Sequence, residues 1–190
     1  MVARTKMAIV DAFNTLIADT SFDDITVQAI IEEAEVSKAT FYRYFKDKYD
    51  VMNYNYKHIL DDAVRLSTVQ NYRDLYLRLY QLGETKLRAI RGAFRSTGVN
   101  SFERYIYEYS RSVVEEVTEL NRGSGLTQEE DLQLDVFCYG VSYMYKKWIR
   151  GQYDITPSAA ADRLYEIMPP TLKGYWFPTE QGRPANQSKT

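Results

Sequence analysis

Ser37, Lys38, Ala39, Thr40, Tyr42 and Arg43 stand within seven consecutive residues, with Lys46 and Lys48 close behind. Hydroxyls, cations and small side chains at this density suit contact with duplex DNA. Small residues permit close approach, hydroxyls reach phosphates, and cations offset the phosphate charge. Backbone contacts fix register, whereas contacts to base edges carry sequence information. Thr26, Ser37, Thr40, Tyr42 and Lys48 are therefore candidates for the phosphates, Lys38 and Ala39 for base edges, and Arg43 for either. Other chemistries are poorly supplied. One histidine, His58, and one cysteine, Cys138, cannot build a zinc site, and no phosphate-cradling G-x-x-x-x-G-K loop occurs. Neither catalysis, a metal nor a cofactor is expected.

Two short helices joined by a tight turn must hold these residues. Val27, Ile30, Ile31 and Ala34 recur at helical spacing. Thr26 precedes them as an N-cap, its hydroxyl accepting a backbone N–H that would otherwise lack a partner. After a turn at Glu35-Val36, Ser37 caps a second helix that carries the apolar Phe41 and Phe45.

The run from Val36 to Lys48, VSKATFYRYFKDK, resembles the DNA-binding signature of TetR-family bacterial transcriptional regulators. Its hallmark is Thr, aromatic, Tyr, any residue, aromatic, Phe, here Thr40 to Phe45, followed by a lysine opening the next helix. With the amphipathic helix ahead of it, the likeness spans residues 5–55. It implies an all-α fold of about nine helices. A three-helix helix-turn-helix head (1–48) would sit on a larger ligand-binding and dimerisation body (49–178). It also implies a homodimeric repressor of a pseudo-palindromic operator, released by a small-molecule effector, with Lys48 on the DNA backbone; otherwise Lys48 is an ordinary surface lysine. One position departs. The family has glycine where this chain has Glu35, and a non-glycine residue in a left-handed turn costs about 1 kcal/mol. Glu35 also brings a negative charge near the DNA-facing side.

The formal net charge of −2 excludes a protein that coats nucleic acid with its whole surface. Any DNA contact must be local, and Lys38, Arg43, Lys46 and Lys48 against Asp47 supply a local patch. The rest of the head is acidic, with Asp19, Asp23, Asp24, Glu32 and Glu33. No apolar run approaches the roughly 18 residues of a membrane span, and the N-terminus lacks a signal-peptide core. With Cys138 alone no intrachain disulfide forms, so a soluble cytoplasmic protein is expected.

Helices are expected over 4–18, from Lys48 to about Ser67, over 72–92, from Ser101 to about Leu120, over 128–150 and over 157–168. Arg4 and Lys6 could serve as an arm that touches phosphate, or simply as a solvated end. Asp47 should cap the fourth helix, with Asp50 as its reciprocal partner. A capping box opens at Thr127 with Glu130. Gly151 and then Thr156-Pro157 mark one helix end and the next start. Residues 179–190 read as a disordered tail.

Two features of the body bear on function. In the TetR family the last two long helices pair with their twins, which places Val136, Phe137, Gly140, Val141, Met144, Trp148, Leu164 and Met168 at a dimer interface. A two-fold pair presents two recognition helices about 34 Å apart, one DNA turn. Otherwise these residues only close the core of one protomer. The stretch 137–151 also resembles the C-terminal domain of a TetR subgroup that includes glycerone-kinase regulators. The second feature is tyrosine, 17 in all. Tyr56, Tyr76, Tyr80, Tyr105 and Tyr109 fall on helices that surround the family's ligand pocket, where rings give apolar walls and hydroxyls orient a guest. Tyrosines at this spacing equally suit a core edge. A reading from another class keeps the fold but makes the body a docking module for a protein partner, with weak DNA affinity in the head.

Overall fold

Six of the helices open on a side chain that caps them: Thr26, Ser37, Asn71, Ser101, Thr127 and Thr156 each accept a hydrogen bond from a backbone N–H in the first turn. A seventh start is closed by Asp47, whose Oδ1 accepts from the Asp50 N–H at 2.8 Å, while Asp50 reaches back to the Lys46 N–H at 3.0 Å. Loss of one such cap typically costs about 1 kcal/mol. The computed structural model describes residues 2–65, 69–95 and 101–176, so the expected tail at 179–190 lies outside the described residues.

The described residues form ten helices: α1 (Val2–Asp19), α2 (Val27–Glu33), α3 (Lys38–Tyr44), α4 (Lys48–Arg65), α5 (Tyr72–Thr85), α6 (Leu87–Ala93), α7 (Phe102–Arg122), α8 (Gln128–Ile149), α9 (Pro157–Ile167) and α10 (Pro170–Lys173). None is long and apolar enough to cross a membrane. The single helix expected over 72–92 is two, broken at Lys86. No glycine or proline marks that break. Thr85 instead turns its hydroxyl back onto the carbonyls of Gln81 and Leu82, at 3.2 and 3.1 Å, a contact that bends helices.

Helices α1 to α3 close over a small core of Ile9, Val10, Phe13, Phe22, Ile25, Ile30, Phe41 and Phe45, and the first turns of α4 complete it with Val51 and Met52. Helix α4 then runs from the head into the body, packing on α1, α5 and α7. In the body α9 lies along α5, and α8 lies along α7. Aromatic rings join these layers edge to face. Tyr56 meets Phe102, Phe102 meets Phe94, Phe94 meets Tyr145, and Tyr145 meets Tyr80, at centroid separations of 4.9 to 5.8 Å. Each such pair adds about 0.5–1.5 kcal/mol beyond the area it buries. Gly83 admits this cluster, since a Cβ there would stand 2.7 Å from the Tyr145 hydroxyl.

The capping box forms at the start of α8, with the Thr127 N–H donating to Glu130 at 2.9 Å and Arg122 forking onto both carboxylate oxygens at 2.9 and 3.0 Å. Arg122 and the Thr127 N–H together hold the Glu130 carboxyl at a pKa of about 2.

Candidate nucleic-acid interface

The turn between α2 and α3 sets the aim of the site. Val36 N–H donates to the Ile31 carbonyl and Glu35 N–H to Glu32, both at 3.2 Å, the paired bonds that end a helix with a left-handed residue. That residue is Glu35, with φ 51°, among the described residues the one non-glycine at positive φ. The side chain is exposed, so its charge is solvated.

Beyond the turn Ser37 accepts from the Thr40 N–H at 3.1 Å and shares a hydroxyl–hydroxyl bond with Thr40 at 2.8 Å. Thr26 does the same for α2, accepting from Ala29 N–H at 3.0 Å. All three hydroxyls therefore work first as caps or cap partners, with Thr26 and Ser37 still exposed and Thr40 half-buried. Helical periodicity then divides α3. Phe41 is buried, and Phe45 just past the helix end is buried too, while Lys38, Ala39, Tyr42 and Arg43 face outward. Tyr42 leaves 51% of its surface exposed, with its ring set edge-on to Phe41 at 5.3 Å. The outward set presents two cations, a phenol and one methyl-sized side chain on a single helix face.

Two lysines are placed differently from the expectation. The Lys48 ammonium donates to the carbonyls of Phe22, Asp23 and Ile25 at 2.9, 3.0 and 2.8 Å. It also lies 4.9 Å from the centroid of the Phe22 ring. An ammonium has three donors, so a lysine held this way has none left for a phosphate. Partial burial lowers its pKa, with Asp23 and Asp24 acting in the opposite sense. Lys6, expected either in an arm that touches phosphate or at a solvated end, sits 3.8 Å over Tyr54 and 5.3 Å over Phe45. It braces α1 against α4 and the residue that ends α3.

The tyrosines of the body fill space more than they line it. Tyr56, Tyr76 and Tyr80 are buried in the core. A cavity of about 10 Å³ between α4, α5 and α7 is walled by Leu60, Leu75, Tyr76, Leu79, Ile106 and Tyr109. That holds one water at most. Sequence reasoning missed the polar group beside it. Tyr109 donates to the buried Asp61 at 3.2 Å, and Lys57 pairs with Asp61 at 2.6 Å. The Tyr105 hydroxyl is buried with no hydrogen-bond partner among the described residues.

Helix α8 also departs from expectation. Phe137 and Val141 are buried within the protomer, as are Leu164 and Met168 from the α9 region, and Met144 and Trp148 are half-buried. Val136 and Gly140 do face outward, and a Cβ on Gly140 would meet nothing within 4 Å. The exposed apolar row is Leu132, Val136, Tyr139 and Tyr143, at 67, 70, 57 and 53% exposure. Its spacing of four, three and four residues is one helix face, a second stripe readable beside the core stripe. On α9, Ile167 is the exposed large apolar residue.

Comparison with known proteins agrees with this geometry. Residues 9–54 match the family described as bacterial regulatory proteins, tetR family, and residues 70–170 match a transcriptional regulator C-terminal region of that family. A comparison of the sequence with curated proteins gives no match. Among solved structures the fold is similar to the dihydroxyacetone kinase operon activator DhaS, at TM-score 0.58 and 15% identity, covering 90% of this chain and 97% of that one. It is also similar to the fatty acid degradation regulator FadR from Bacillus halodurans, at TM-score 0.51 and 14% identity, covering 86% and 94%.

Proposed function

Since the chain belongs to the TetR family of DNA-binding transcriptional regulators, we propose that it acts in the cytoplasm as a homodimeric repressor released by a small-molecule effector. The observation that carries this reading is the outward face of α3, where Lys38, Ala39, Tyr42 and Arg43 stand clear of the core on a helix capped by Ser37. Lys38 and Ala39 read base edges, Tyr42 and the Thr26, Ser37 and Thr40 hydroxyls touch phosphates, and Arg43 serves either. Lys48 supports the interface from behind, by fixing the loop between α1 and α2.

One α3 makes too few contacts to select an operator, so two must act together. The apolar row of Leu132, Val136, Tyr139 and Tyr143, with Gly140 permitting close approach, suits a twin of itself across a two-fold axis. Effector binding between α4, α5 and α7 must open space beside Tyr76 and Tyr109. A guest there would meet apolar walls, the Tyr105 hydroxyl and the Asp61–Tyr109 pair. If it fits only a protein whose α4 has tilted, it weakens operator affinity by its preference for that state.

The test is a mobility-shift titration with duplexes tiled across the DNA flanking its gene, repeated over a range of salt. Specific binding that falls steeply with salt supports the reading. Shallow, sequence-independent retention of every duplex defeats it.

A further inference from the structure

Where the head meets the body, the loop between α1 and α2 lies against α6. Phe22 packs so tightly on Gly92 that a Cβ added to this glycine would stand 2.5 Å from the Phe22 Cβ. Beside that contact runs an open groove of about 260 Å³, lined by Ser21, Asp23, Leu87, Arg91, Gly92 and Arg95. Its charged lining is two guanidiniums against one carboxylate.

These two arginines are not equivalent. Arg91 spends its Nε on the Ile149 carbonyl at 2.7 Å, which fixes the guanidinium plane and leaves the Nη groups for other acceptors. Arg95 is paired with the Asp23 carboxylate, a bond that crosses from body to head. So the groove already recognises a carboxylate, supplied by the protein itself, and retains a second oriented cation beside it. Both members of the Arg95–Asp23 pair are partly exposed, and an exposed pair is cheap to exchange for another acceptor. Planar guanidiniums favour ligands with paired oxygens, and two of them favour a guest bearing two negative charges.

We propose that this groove is a second ligand site, separate from the space between α4, α5 and α7, and that it takes a small dianion, a phosphate group or a short dicarboxylate. The guest bridges Arg91 and Arg95 and competes directly with Asp23. Occupancy breaks the ion pair that ties the head's loop to the turn just past α6, so the site has a route to the DNA-binding surface.

Competition makes the test directional. The full-length protein is titrated with sodium phosphate and, separately, with sodium succinate, at ionic strength held constant with chloride. The arginine Nε–Hε resonances are followed by NMR, without DNA, so the result stands apart from any operator measurement. Saturable shifts of Arg91 and Arg95 are expected with one or both anions, and which anion saturates identifies the source chemistry. Asp23→Asn should tighten binding by about two- to fivefold, the worth of an exposed ion pair. Arg91→Gln and Arg95→Gln should each weaken it, and the double change should abolish it. Gain of affinity in Asp23→Asn cannot arise from misfolding, and thermal melts check the arginine variants. Shifts that stay linear in anion, an Asp23→Asn protein that binds no tighter, or a folded double variant that binds as before would each overturn the proposal.

Discussion

Helix α3 turns Phe41 inward and Lys38, Ala39, Tyr42 and Arg43 outward, whereas α8 turns Val141 and Tyr145 inward and Leu132, Val136, Tyr139 and Tyr143 outward. Both helices are amphipathic in the sense that one side is committed to the core. They differ in what the remaining side offers. On α3 it is polar and cationic, which water solvates well and a polyanion binds better. On α8 it is apolar, which water does not favour, so the surface gains by being covered. In the proposed reading, the chemistry of the uncommitted side is what separates a face for nucleic acid from a face for protein.

Charge placement on α8 gives the largest test of that contrast. Val141→Asp puts an unpaired carboxylate into the core and should unfold the protomer, a penalty of several kcal/mol. Val136→Asp, on the other side, should leave the circular dichroism spectrum and the protomer fold intact while halving the mass seen by sedimentation. If Val136→Asp also unfolds the chain, the row is part of the core rather than a surface for a twin.

The outward side of α3 should respond more gently. Replacing Arg43 with Ala at a base contact should cost about 1–3 kcal/mol in operator affinity and relax selectivity at one position. Replacing it at a phosphate contact should weaken all duplexes alike and lower the salt slope by about 0.9 for each phosphate lost. Either outcome assigns Arg43, and no change at all removes it from the interface. Lys48→Met separates support from contact. It should lower thermal stability by about 1–2 kcal/mol, since three carbonyls lose their donor, and weaken operator binding with the salt slope unchanged. A reduced slope would put the Lys48 charge on a phosphate after all. The smallest effect belongs to Glu35→Gly, which should raise stability by up to about 1 kcal/mol, offset in part by the freer unfolded chain. Denaturant melts resolve that difference, and a loss of stability would mean that the Glu35 side chain contributes more than its backbone strain costs.

The same contrast explains which parts were legible in the sequence. The division of α3 follows from a sharp alternation of Phe41 and Phe45 with polar neighbours, so its buried side admits one assignment. The strained turn at Glu35 was equally readable, because its position in the motif demands φ above zero. Helix α8 is apolar on two sides, and periodicity alone gives no rule for which side packs on α7. Phe137 and Val141 therefore read as interface residues although they lie inside the protomer. The carbonyl cage around Lys48 was not legible for another reason. Its partners are carbonyls of residues 22, 23 and 25, and backbone acceptors leave no trace in side-chain patterns. The Asp61–Tyr109 bond spans 48 positions, beyond the reach of any local rule.

Asn14 on α1 and Asn55 on α4 exchange hydrogen bonds in both directions, at 2.7 and 3.4 Å. A reciprocal amide pair resists sliding and twisting together, because either motion breaks both bonds at once. The two helices are thereby geared. An effector that tilted the connecting helix, as proposed above, would then turn the first helix with it, and the operator would meet the head as one displaced block rather than as a loosened collection of parts.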